Sequence, residues 1–264
     1  MVKLLVLFLF LSCSNIRIFL FGDPNRVKID TGSYKYIDKD DYIGNLRGLE
    51  GSFLKFAEKD IIKLSTSENK YLMGLSERVI NNNELLLNFE AKKVRFHIIK
   101  SKIPYHFSLP GGVIFFSTSL IGKYIKYEGI LISIITYELF KSIKNIYMKN
   151  IIVPVGVIPL EKILFLTKIN LDSKMEINKW AFYALKRSGF DPLSYLSWIQ
   201  TQNKHALDFT LMSGDIKIIS KEEFLFKKFI VNKRLNKRND KLYENSSKEF
   251  YEFIKKFNMD RLEV

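Results

Sequence analysis

The segment LPGGVIFFSTSLIGKYIKYEGILISIITYELFK, residues 109–141, carries the strongest structural signals in the chain. Pro110 fixes its own φ, and Gly111 and Gly112 accept positive φ, so the three predict a tight turn. The apolar run 113–116 that follows suits a strand. From 128 to 147 apolar residues lie all round a helical wheel, which predicts a helix packed on several sides and not a surface one. Upstream, Val94, Phe96 and Ile98 alternate with Arg95, His97 and Ile99, the period of a strand with two unlike faces. Together these predict an α+β fold, mainly helical, with a small β-sheet lying against the buried helix.

Several segments then match one known pattern in order: LPGG at 109–112, Ser119-Leu120-Ile121, Glu128, Tyr137-Glu138-Leu139-Phe140-Lys141, Glu176-Ile177-Asn178 and Ser188-Gly189-Phe190-Asp191-Pro192. Over roughly residues 68–200 the chain resembles the M48 family of zinc metallopeptidases. The resemblance implies a zincin-like domain, with Tyr137 and Lys141 at the positions of the two His-Glu-x-x-His histidines. It places Glu138 on the family's motif glutamate and Glu176 on its glutamate zinc ligand. It also implies a substrate groove along Pro110, Gly111, Gly112 and Val113. Where the family often has Asn-Ala-Phe, this chain reads Tyr105-His106-Phe107.

The zinc motif works because two imidazoles at i and i+4 bind the metal from one helix face while the glutamate polarises the bound water. A phenol protonated at neutral pH is a rare ligand, and an ammonium would have to lose its proton first. The expectation is therefore a fold that keeps the peptidase frame without its catalytic residues, its metal or any other cofactor. The alternative is an active zinc endopeptidase with an unconventional ligand set, such as Glu138, Glu176 and His106. In place of the metal, Lys141 either bridges to Glu138 or Glu176, with the Tyr137 hydroxyl donating to one of them, or snorkels to solvent beside Glu138.

Residues 1–12 hold one lysine, then an apolar core, then Ser12 before Cys13, the layout of a short secretory signal ending in a lipobox. Cys13 is the only cysteine, so an intrachain disulfide is impossible and lipid attachment at Cys13 is the favoured reading. An uncleaved anchor and a buried strand are the other two. Arg17 interrupts the run too soon for a spanning helix of about 20 residues. The expected divisions are a signal at 1–12, a lipidated tether with a first helix at 13–66, the peptidase-like domain at 67–210 and a basic helical extension at 211–264.

The formal net charge is +14. It reflects either lysine-rich coding or attraction to an anionic surface such as lipid headgroups. No nucleic-acid-binding motif is present, and nucleic acid is a poor partner for an exported protein. Seven basic residues against Asp240 in 227–241 form a solvated face or a lipid-docking one.

Ser65 with Glu68 predicts a capping box opening a helix that buries Leu72, Leu75, Val79 and Ile80. His97 reads as an ordinary sheet residue and His205 as solvated. The run 151–166, broken by Pro154 and Pro159, is either core or an exposed lip. Phe250, Phe253, Ile254 and Phe257 share one face of a last helix, which either closes the core or meets a partner. The functional expectation is a catalytically inactive, lipid-anchored protein of the bacterial cell envelope. It would bind or scaffold an envelope protein or client polypeptide and reach the membrane through its N-terminal lipid.

Overall fold

The turn at Pro110-Gly111-Gly112 joins strands β3 (His106–Leu109) and β4 (Val113–Ser117) into an antiparallel hairpin in which Leu109 faces Val113 and His106 faces Phe116. Both glycines take the left-handed conformation, with φ of +91° and +82°. At Gly112 a side chain is excluded twice over, because a Cβ would also lie 3.0 Å from the Phe89 ring. Strand β4 pairs on its other side with β2 (Arg95–Ile99) in parallel, and β2 pairs antiparallel with the short β1 (Ile61–Ile62). The result is a mixed four-stranded sheet of order β1-β2-β4-β3. These features come from a computed structural model that describes residues 39–148, 156–233 and 246–258.

Alternation along the strands separates the two faces of the sheet. Ile114 and Phe116 belong to the main core, together with Phe96 and Ile98. Phe107 and Phe115 point the other way and stack on each other at 4.5 Å. That second face is covered by helix α1 (Lys39–Phe56), whose Phe53 meets Phe107 and Phe115 edge-on, each at 5.3 Å. Helix α1 also buries Tyr42, Ile43, Leu46 and Leu49. The first helix therefore belongs to the folded body and is not an appendage of a tether. The expected signal and Cys13 lie outside the described residues.

On the main-core face runs α4 (Glu128–Ile143), in which every residue from Ile130 to Ser142 is buried. The all-round apolar pattern has its physical counterpart here, since α4 contacts the sheet, α2 (Thr66–Asn81), α6 (Leu171–Arg187) and α7 (Ser194–Lys204). Helix α2 opens with the expected capping box: Ser65 Oγ accepts from the Glu68 amide at 3.2 Å, and a Glu68 carboxylate oxygen accepts from the Ser65 amide at 2.6 Å. Helix α6 ends at Gly189, whose φ of +72° continues no helix. Between β4 and α4 lies the short α3 (Thr118–Tyr124). The expected run 151–166 resolves towards core in its described part. There α5 (Leu160–Leu166) buries Leu160, Ile163, Leu164 and Leu166, while Val157 and Phe165 are exposed.

The C-terminal segment, expected as an extension, contributes to the same core. After α8 (Thr210–Ser213), helix α9 (Ile216–Asn232) packs Ile219, Phe226 and Ile230 against α6 and α7. Helix α10 (Lys248–Asn258) lays Phe250, Phe253, Ile254 and Phe257 against α3 and α2. Its start is clasped by Glu128, which accepts hydrogen bonds from Ser247 Oγ at 2.6 Å and from Tyr71 at 2.7 Å. No helix among the described residues is long and apolar enough to cross a membrane. Truncating Phe250, 1% exposed, to alanine is expected to cost about 3–5 kcal/mol in denaturant unfolding. The same change at its exposed neighbour Tyr251 should stay within about 0.5 kcal/mol.

Candidate functional site

Helical spacing places Tyr137 and Lys141 on one face of α4, one turn apart, and both line a cavity of about 50 Å³. Glu138 lies beside them, 1% exposed, with its partners inside the protein. One carboxylate oxygen pairs with His106 Nδ1 at 2.7 Å. The other accepts from Ser108 Oγ at 2.6 Å and lies 3.4 Å from Lys141 Nζ. Burial by itself would raise the Glu138 pKa, but the Lys141 charge and the His106 and Ser108 hydrogen bonds outweigh it and hold the carboxyl at about 2.

The same face of α4 fastens the hairpin further along. Ser142 Oγ donates to the Leu109 carbonyl at 2.6 Å and accepts from the Gly112 amide at 2.6 Å. Beyond the helix, Tyr147 donates to the Ser108 carbonyl at 3.1 Å. His106 and Ser108 alternate with Phe107 and Leu109 along β3, so the period of the strand presents the two polar side chains to α4 and the two apolar ones to α1.

Lys141 does not snorkel: its side chain is 6% exposed and its ammonium also lies 5.6 Å from the Tyr147 ring centre. Burial draws its pKa down, and the Glu138 charge opposes the shift. Tyr137 stacks on Tyr195 at 5.8 Å and meets His106 edge-on at 6.3 Å. Burial pushes its phenol well above the ordinary range, so it stands in the cavity as a neutral hydroxyl.

Across the cavity is a second polar cluster that sequence reading did not find. Lys174 of α6 pairs with Glu222 of α9 at 3.0 Å. Asn178, one turn on, donates to Glu222 at 2.9 Å and accepts from the Tyr195 hydroxyl at 2.7 Å. Glu176, expected at this place, is exposed on the outer side of α6 and does not line the cavity. The correction follows from helical geometry, because residues two apart lie about 200° apart around the axis. Lys174, not Glu176, shares a face with Asn178, Ala181 and Leu185. That buried stripe was the available signal.

The expected groove strand also needs correction. Val113 is fully buried and pairs with Arg95 on one side and Leu109 on the other, so it has no free edge. The outer edge on this side of the sheet is β3, where the His106 amide meets Met212 Sδ of α8 at 3.5 Å. His97 is a sheet residue, bonded to Glu50 at 3.1 Å and stacked on Phe115 at 4.9 Å. His205 is half-buried against Tyr124 at 5.3 Å and not simply solvated.

The implied zinc fits these residues poorly. Towards the cavity α4 and α6 present a phenol and two ammoniums, and both oxygens of Glu138 are already engaged. Among the described residues no three His, Cys, Asp or Glu side chains converge as a metal-ligand group. No family model matches the chain, and no curated protein does.

Two outcomes follow for the Glu138 cluster. Glu138→Gln strands a buried ammonium and is expected to cost about 3–5 kcal/mol in urea unfolding, with much of the loss recovered in Glu138→Gln/Lys141→Met. Because the folded pKa of Glu138 lies below its unfolded value, the stabilisation is full above about pH 4.5 and is lost as pH falls towards about 2. An acid-unfolding titration of Glu138→Gln should lack that contribution.

Proposed function

We propose that the chain is a catalytically inactive, zincin-like member of the M48 lineage that serves the bacterial cell envelope as a binding or scaffolding lipoprotein. The observation that carries this reading is the Glu138–Lys141 pair, 3.4 Å apart inside the protein, at the position where the resemblance puts a metal and its catalytic glutamate. A general base must be free to take a proton from water, and this carboxylate is tied to three side chains and held at about 2. The hairpin, the central helix and α6 follow one another along the chain in the order of the matched segments, which supports this reading. These support descent of the frame without its chemistry.

The natural ligand of such a frame is an envelope protein or a client polypeptide, and this rests on analogy with the family. Membrane attachment is proposed through a lipid on Cys13. The net charge of +14 favours association with an anionic surface and supports the same location. Nucleic acid has no place in this reading.

The test is metal content and peptidase activity of the purified chain after exposure to zinc and dialysis. The expected result is less than about 0.1 equivalent of zinc and no cleavage of unfolded casein, since a catalytic site needs three protein ligands. Near one equivalent of zinc, lost in Glu138→Gln, would overturn the reading in favour of an unconventional active peptidase. Metabolic labelling with palmitate, abolished by Cys13→Ser, checks the anchor separately.

A further inference from the structure

Two residues on the cavity lining carry buried polar atoms that nothing described so far uses. His106 Nε2 and Ser213 Oγ are buried without hydrogen-bond partners, on side chains 6% and 9% exposed. A buried polar atom left unpaired costs about 1–3 kcal/mol, so two facing one small space point to an occupant. The 2.7 Å contact with Glu138 engages Nδ1, so Nε2 is the ring nitrogen left without a partner.

The charges around the space define what the occupant must be. Lys141 enters from α4 and Lys174 from α6, and each ammonium is met by one carboxylate, Glu138 at 3.4 Å and Glu222 at 3.0 Å. An ammonium carries three protons, so a single carboxylate partner leaves donors available to the space between them. The two lysines also repel: burial is the main influence lowering the Lys141 pKa, and the Lys174 charge adds to it. Lys168 is a third lysine on the lining, and three lysines against Glu138 and Glu222 leave one formal positive charge. A monoanion balances this excess of lysines over carboxylates.

We infer that this cavity binds a carboxylate group, held by the Lys141 and Lys174 ammoniums and the Ser213 hydroxyl, with one water bridging the carboxylate and His106 Nε2. A space of about 50 Å³ suits a carboxylate and its water, and excludes a large ligand entering whole. Lys174, 15% exposed, is the more exposed of the two lysine side chains. The carboxylate comes either from a free small acid or from the C-terminus of a polypeptide inserted end-first. A site that presents ammoniums where the resemblance implies a cation has reversed its charge preference.

The test is titration calorimetry of the full chain with sodium acetate and with the tripeptide Ala-Ala-Ala as free acid and as C-terminal amide, in chloride at matched ionic strength. Saturable binding of acetate or the free-acid tripeptide is expected, with none of the amide. Acetate alone identifies a free acid, whereas the free-acid tripeptide identifies a chain terminus. Ser213→Ala and Lys174→Gln should each weaken binding about 10-fold or more, the loss of one hydrogen bond to a charged group. Ser213→Ala removes a single hydroxyl from the short α8, so it decides the matter even where Lys174→Gln fails to fold. No saturable binding of either acid, equal binding of the amide, or unchanged affinity in the folded variants would overturn the inference.

Discussion

A carboxylate with 1% of its surface exposed must be paired, and the way Glu138 is paired fixes the centre of this fold. Two of its partners, His106 and Ser108, belong to β3, and the third, Lys141, stands one turn along its own helix. The hairpin is therefore bolted to α4 by charge-assisted hydrogen bonds, and Ser142 and Tyr147 extend the attachment to its backbone. The sheet inherits its position from this contact, because β4 is held between β3 and β2. Breaking such a pair from one side costs about 3–5 kcal/mol, a large fraction of the net stability of about 5–15 kcal/mol typical of a domain.

The cluster on the far side of the cavity obeys the same rule. Glu222 is nearly buried, and α6 supplies both the cation and the amide that satisfy it. Asn178 in turn is satisfied by Tyr195, whose ring stacks on Tyr137. Polar groups on α4, α6, α7 and α9 thus form two paired sets facing one small space. Neither set uses His106 Nε2 or Ser213 Oγ. The cavity is consequently a place where the helices are held in register by charge while some hydrogen-bonding capacity is left over.

Much of this was legible from local pattern. Two adjacent glycines after a proline mark the turn before β4, alternation at 94–99 marks β2, and the all-round apolar wheel marks α4. The Ser65 capping box and the stop at Gly189 were also readable, because each depends on a few neighbouring residues. What escaped depends on long-range packing. Nothing local marks Glu222, 44 residues beyond Asn178, as its partner, and a lysine on a helix reads as surface until its facing helix is known. The resemblance puts Glu176 at a ligand position by motif order, although the apolar stripe of its own helix already sets it outside. The resemblance ends near residue 210, so it carries no sign that the C-terminal helices join the core, and it is their buried phenylalanines that carry the packing.

If the cavity between α4 and α6 retains the geometry of a metal site, restoring ligands should restore the metal. The triple variant Tyr137→His/Lys141→His/Lys174→Glu places two imidazoles at i and i+4 and a carboxylate on α6 facing them. Elemental analysis of this variant after zinc loading and dialysis, with circular dichroism to establish folding, is the most direct measurement. A zincin-like frame predicts about one equivalent of bound zinc in the variant and almost none in the parent chain. A folded variant that retains no zinc would contradict it, since α4 and α6 would then be spaced for ammonium pairs and not for a tetrahedral ion.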